Sequence, residues 1–240
     1  MFVSIKGRTI IYSFAALLAI SVSAVCISLK EVHDNMDYAL PSSAVESKNI
    51  LIDAGHGGFD AGASDNGISE KDINLNVAKE LKKLIEDNGG KTAMTREGDV
   101  STADENRSDG SSAKKSDLRR RREMIKESGA DIFISIHMNK FPQSKYWGAQ
   151  VFYAATPEDS KRLGECIQAA LPRVLGDNND RVSKKAESGI FILKNAEIPS
   201  VIVECGFLSN PDEAEKLKTE DYQKQLARAI FEGLCDFLNK

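Results

Sequence analysis

Apolar residues recur along this chain with two periods, one belonging to helices and one to short buried strands. Asn49–Asp53 is a brief apolar run that ends in a glycine-rich turn, the pattern of a first buried strand. From Glu70 to Asn88, the residues Ile73, Val77, Leu81, Leu84 and Ile85 fall at helical spacing, and Gly89-Gly90 stops that helix. Lys91–Thr95 predicts a second strand. Residues 97–116, rich in Asp, Asn, Ser and Gly, read as a mobile surface loop. Asp117 is placed to cap a helix running to Ser128, where Gly129 ends it. Further strands are predicted at Asp131–Met138, Ala149–Ala154, Gly189–Leu193 and Ser200–Glu204. Thr156-Pro157 opens a helix towards Leu171, since proline is tolerated in a first turn. The last helix, from Glu220 to Asn239, is expected to bury Tyr222, Leu226, Ile230, Gly233 and Phe237. Strands alternating with helices predict a single α/β domain with a mixed, largely parallel six-stranded sheet and helices on both faces. No internal repeat or second module shows in the pattern.

The N-terminus breaks this pattern. Lys6 and Arg8 precede an uncharged apolar run from Thr9 to Leu29, which as a helix spans about 30 Å, near the hydrocarbon thickness of a bilayer. Residues 1–29 therefore read as a signal peptide or an uncleaved signal anchor. Small residues at Ser21, Ser23 and Ala24 offer cleavage positions, whereas Ser23-Ala24-Val25 before Cys26 matches a lipoprotein signal poorly. A buried core helix would leave the flanking charges unexplained. Either reading places the domain outside the cytoplasm, and an uncleaved leader would tie it to the membrane. Residues 30–48 are polar, aperiodic and broken by Pro41-Ser42-Ser43, so they read as a linker to a domain spanning 49–240.

Composition narrows the chemistry. Of 240 residues, 41% are apolar and 28% charged, enough for one packed core and too patterned for disorder. The formal net charge of −4 argues against a general nucleic-acid binder, and removing residues 1–48 does not change it. The four cysteines are scattered with no C-x-x-C pair, which excludes a zinc knuckle or a dense disulfide framework.

Beyond the linker only two histidines remain, His56 and His137, and both end predicted buried strands. In an α/β sheet that edge is where ligands bind. The glycines around His56 lack the G-x-G-x-x-G spacing and the Lys-Ser/Thr of phosphate loops, so they read as a sharp turn that leaves the imidazole open to a metal. Glu70 lies three, seven and eleven residues before Ile73, Val77 and Leu81, on the apolar stripe of its helix. A carboxylate there must be paired, metal-bound or neutral, and the alternative is a solvated first-turn Glu serving the helix dipole. Two His and one Glu make a standard catalytic zinc set with a fourth position left for water. Glu204 ends the strand Ser200–Glu204 and reads as a fourth ligand, an ion-pair partner or a general base. A thiol hydrolase using Cys205 is disfavoured because strand alternation turns neighbours 204 and 205 to opposite faces. The quartet Arg119–Arg122 reads mostly as a solvated helix face, with Leu118 and Ile125 inward.

These segments resemble the zinc-dependent N-acetylmuramoyl-L-alanine amidases. The resemblance rests on Ile52–Gly62, Glu70, Leu118–Arg121, Ala130–Asn139, Gly148–Tyr153 and Pro199–Asn210, in family order across nearly the whole chain after residue 48. It implies one zinc ion held by His56, Glu70 and His137, with Glu204 as the catalytic carboxylate and Arg121 structural. Lys126 departs from the Asn that many members carry there. The implied substrate is peptidoglycan, cut between muramic acid and L-alanine. The short chain, leader and lack of wall-binding repeats look like the branch that trims spore-cortex peptidoglycan, ahead of muramic-δ-lactam formation. Related amidases are often controlled by partner proteins. A ligand on a helix's first turn, where fraying is common, leads us to expect a partner that raises zinc occupancy and activity together.

Overall fold

Strand β1 (Asn49–Ala54) is buried from Ile50 onward and anchors the sheet. The computed structural model describes residues 44–65, 67–104 and 112–239, so the apolar leader lies outside the described residues. Among those described, no helix is long and apolar enough to cross a membrane. The sheet is completed by β4 (Lys91–Met94), β5 (Ile132–Asn139), β6 (Gln150–Tyr153), β7 (Lys184–Lys185) and β8 (Ser200–Phe207), in the order β4-β1-β5-β8-β6-β7. The neighbours β4, β1, β5 and β8 pair in parallel, β6 runs antiparallel to β8, and β7 pairs in parallel with β6. This is the mixed, largely parallel sheet that the alternating pattern predicts.

Among the described residues there are five helices: α1 (Glu70–Asp87), α2 (Ala113–Glu127), α3 (Asp159–Leu175), and, after the last strand, α4 (Pro211–Leu217) and α5 (Glu220–Leu238). Helix α5 packs on α3 and α1, and it buries Leu226, Ala227, Ile230, Phe231, Leu234 and Phe237. Strand alternation sends Ile50, Ile52, Ile132, Ile134, Ile136, Val201 and Val203 to one face of the sheet. All seven are 0–2% exposed, so this face is apolar along its length. The other face begins apolar, with Leu51, Phe133 and Ile202 packed against Ile192 and Leu193. Towards the strands' C-terminal ends it turns polar, through Asp53, Ser135, His137 and Glu204.

Several local expectations are corrected. The segment Gly189–Leu193 is not a strand: Phe191–Leu193 forms a 3-10 turn whose Ile192 and Leu193 plug the second core. The sixth strand is instead β7, two exposed lysines that carry no apolar signal. Helix α2 starts at Ala113 because the Ser112 side chain accepts a hydrogen bond from the Lys115 N–H. Asp117 lies inside that helix, and its carboxylate accepts from the Ser101 hydroxyl and the Thr102 N–H, tying down part of the stretch read as loop. Pro157 precedes α3 rather than opening it, while Pro172 lies in its last turn and left-handed Gly176 ends it. Helix α4, capped by the Asn210 side chain on the Glu213 N–H, and the short hairpin β2 (Ser64–Asp65) and β3 (Ile68–Ser69) were not foreseen. Tyr222 is only half-buried. Val45, in the stretch read as linker, is 1% exposed.

Candidate metal centre

Parallel strands bring β1 and β5 to one edge, and the polypeptide leaves β1 there through a strained turn. His56 sits at φ 61°, a left-handed conformation uncommon for a residue with a side chain. Two glycines make room for the side chains that gather around this turn. A Cβ on Gly55 would lie 2.3 Å from the His137 ring, and one on Gly62 would lie 2.5 Å from Glu70 Oε2 and 2.7 Å from the His56 ring. Glycine is therefore required at both positions by close approach.

In that space His56, Glu70 and His137 converge, with one potential ligand atom from each lying within 4.8 Å of the others. Glu70 Oε1 is 3.2 Å from His56 Nε2 and 3.0 Å from His137 Nδ1, and it accepts the Met138 N–H at 3.0 Å. Glu70 Oε2 accepts the Ala63 N–H at 2.7 Å. Burial would raise the Glu70 carboxyl, but hydrogen bonds from His137 and His56 and their charges hold it well below its ordinary range. Burial lowers the His137 imidazole, but the hydrogen bond and charge of Glu70, with the charges of Glu204 and Asp53, together outweigh it, so its net shift is upward. Glu70 is thus buried at 3% exposure, as its place on the helical stripe predicts, rather than solvated at the helix end.

Glu204 pairs in register with His137 on one side and Gln150 on the other, so its side chain shares their face. Among the described residues its Oε2 is buried without a hydrogen-bond partner. Burial foremost, then the Glu70 charge, pushes its carboxyl up to about 6 against the opposing pull of His137 and His56. Cys205 is fully buried, and burial raises its thiol well above the ordinary value, which removes the ground for a thiolate nucleophile.

Sequence reasoning missed three supporting residues. Asp60 Oδ2 lies 3.0 Å from His56 Nδ1, where it orients the ring whose Nε2 faces Glu70. An Asp four residues after His56, across a glycine turn, was the available signal. Asn74, one helical turn after Glu70, is fully buried and donates to the Gly55 carbonyl at 3.1 Å. Arg96, two residues past the end of β4, is 3% exposed, and nothing in a lone Thr-Arg pair announces that. Arg121 is likewise buried, at 2%, so the reading of 119–122 as mainly solvated fails at this one residue. Its guanidinium pairs with Asp53 and Asp117, both at 2.6 Å, and donates to the carbonyls of Ala54 and His56. Leu118 and Ile125 are half-buried, and the residues α2 fully buries are the polar Ser116, Asp117 and Arg121. Burial would raise the Asp53 carboxyl, but Arg121 above all, then His137, Ser135 and Thr95, hold it at about 2.

Residues 50–236 match a family model described as N-acetylmuramoyl-L-alanine amidase. The germination-specific N-acetylmuramoyl-L-alanine amidase of Bacillus subtilis is 37% identical over 203 residues, covering 85% of this chain and 84% of that protein. Among solved structures, the CwlD amidase from Clostridioides difficile in complex with the GerS lipoprotein is 44% identical, with a TM-score of 0.76 over 80% of this chain and 99% of that one. An N-acetylmuramoyl-L-alanine amidase from Clostridium difficile 630 is 28% identical, with a TM-score of 0.71 over 81% and 98%.

Proposed function

This chain belongs to the N-acetylmuramoyl-L-alanine amidase family and acts on peptidoglycan; from that premise we propose that it uses one zinc ion to cut the amide between the muramic lactyl group and L-alanine. The observation that carries this reading is a buried, unpartnered Glu204 oxygen on the face shared with a convergent His-Glu-His set.

The donor set fits zinc. Two imidazoles and one carboxylate leave a fourth position, and two of their other atoms are already engaged, His56 Nδ1 by Asp60 and Glu70 Oε2 by the Ala63 N–H. Zinc bound by His56, Glu70 and His137 would supply Lewis acidity towards the scissile carbonyl and the attacking water. Glu204, with its carboxyl raised towards neutrality, takes a proton from that water as its oxygen bonds to the lactyl carbonyl carbon. It then gives the proton to the L-alanine nitrogen as the carbon–nitrogen bond breaks. Water is consumed, a carboxyl group and an amine are released, and Glu204 returns to its starting state.

The similarity to a germination-specific amidase and to CwlD supports a place in spore-cortex maturation, removing stem peptides ahead of muramic-δ-lactam formation. That setting is extracytoplasmic, and reading the apolar run at residues 9–29 as an export leader agrees with it. The CwlD structure holds a lipoprotein partner. For this chain, too, we propose a partner that packs near α1 and raises zinc occupancy.

Mass spectrometry of peptidoglycan digested by the zinc-loaded protein tests the reaction. The expected products carry a free lactyl carboxyl and a free L-alanine amine. Cleavage between sugars, or within the stem peptide, would refute it.

A further inference from the structure

Arg96 is a buried cation whose hydrogen bonds, among the described residues, all go to main-chain carbonyls. Its Nε donates to Ala54 O at 2.8 Å and its Nη1 to Gly98 O at 3.0 Å. Its Nη2 donates to Gly55 O at 3.0 Å and to Lys71 O at 2.7 Å. Burial foremost, and then the neighbouring Arg121 charge, disfavour its charged form, so holding it here is costly.

The places it grips explain what the cost supports. Ala54 and Gly55 lead into His56, and Lys71 directly follows Glu70. One guanidinium therefore joins the turn carrying the first metal-ligand candidate to the helix turn carrying the second. Arg121 holds the same turn from its other side, at the carbonyls of Ala54 and His56. The contact is also tight at Gly57, where an added Cβ would meet the Arg96 side chain at 2.8 Å. His56 needs such a restraint, because its left-handed backbone would otherwise relax.

We propose that Arg96 is a positioning residue that sets the separation of His56 and Glu70 for zinc. This rests on the zinc reading above. A guanidinium suits the task because its planar fork reaches several carbonyls at once, whereas a lysine ammonium on a flexible stem would not hold both turns in one geometry.

The test is zinc affinity of the whole chain, measured by competition with a chromophoric chelator, alongside melting of the metal-free protein. Arg96→Lys is expected to weaken zinc binding about tenfold or more, as loss of support for a ligand does. Leu171→Ala, a core change in α3, controls for general destabilisation, and its zinc affinity should stay within about twofold of the parent. An Arg96→Lys protein that binds zinc like the parent would overturn the proposal. So would equal losses in the two variants at matched melting temperatures. A second measurement needs no substitution: zinc should slow solvent exchange of the Arg96 Nε–H in nuclear magnetic resonance spectra, because ion and guanidinium stabilise the same arrangement. Unchanged exchange on zinc saturation would also overturn it. If the unaltered chain binds no zinc at all, the metal reading itself fails, and this result is distinct from the others.

Discussion

The two faces of the sheet are held to their helices by different means. Under α1 and α3 the sheet face is apolar, isoleucines and valines along its length, and α5 packs on those two helices with Leu226, Ile230, Phe231 and Leu234 buried. On the other face α2 adds to the partly buried Met124 and Ile125 the buried charges of Arg121 and Asp117, which meet Asp53 of the sheet. Apolar contact tolerates small shifts, because it has no preferred direction. Charged contact does not, because each bond fixes a distance and an angle. The face that presents His137 and Glu204 is the one built from directional bonds, and the apolar face secures the fold behind it.

The largest effect should come from the reacting end of the polar face. Glu204→Ala is expected to keep zinc and the fold yet lose turnover by roughly 10²–10⁴-fold, measured as products released from purified peptidoglycan. Near-normal turnover would separate Glu204 from the chemistry. Next is the anchor. Arg121→Met leaves Asp53 as an unpaired buried charge and should cost about 3–5 kcal/mol in denaturant unfolding. Leu226→Ala on the apolar face should cost about 2–5 kcal/mol, through a cavity. Only the first should be largely rescued by a second change, Asp53→Asn. Equal behaviour of the two would erase the distinction between the faces.

Acid gives a smaller and more selective probe. The Asp53 carboxyl is depressed from 3.8 to about 2 in the folded chain. Its contribution is therefore fully present above pH 3.8 and is lost as the pH falls through about 2. The loss should be about 2 kcal/mol, and Asp53→Asn should flatten that part of the stability–pH curve while Leu226→Ala leaves its shape alone. The smallest effect belongs to the residue beside the anchor. Arg120 pairs with Glu127 while 41% exposed, so Arg120→Ala should change stability by no more than about 0.5 kcal/mol. A cost near that of Arg121 would mean that α2 is held by charge all along its length.

The same contrast governs what could be read from the sequence. Helices α1 and α5 were legible because apolar side chains announce burial by spacing, and Glu70 was legible because it interrupts such a stripe. The histidines and Glu204 were found because they end apolar runs. Arg96 and Arg121 are buried mainly by bonds to partners distant in the chain, which no local spacing records, and the i, i+4 spacing of Asp117 and Arg121 marks a pair without telling that it is buried. Segment 189–193 misled because a short apolar run does not say whether it pairs as a strand or plugs a core as a turn. Strand β7 is held by pairing alone, so its lysines gave no sign of it.

The order of strands also bears on synthesis. Strand β8, which carries Glu204, is made last, yet it lies between β5 and β6 in the middle of the sheet. Until it emerges, β5 has an open edge, His137 has no neighbour on that side, and β6 has nothing to pair with antiparallel. A chain still being made cannot close this sheet before β8 arrives. The completed sheet exists only after its last strand has arrived, and only α4 and α5 follow it among the described residues. The strand that closes the sheet is also the one that sets Glu204 beside His137, so the sheet and the candidate site are completed together.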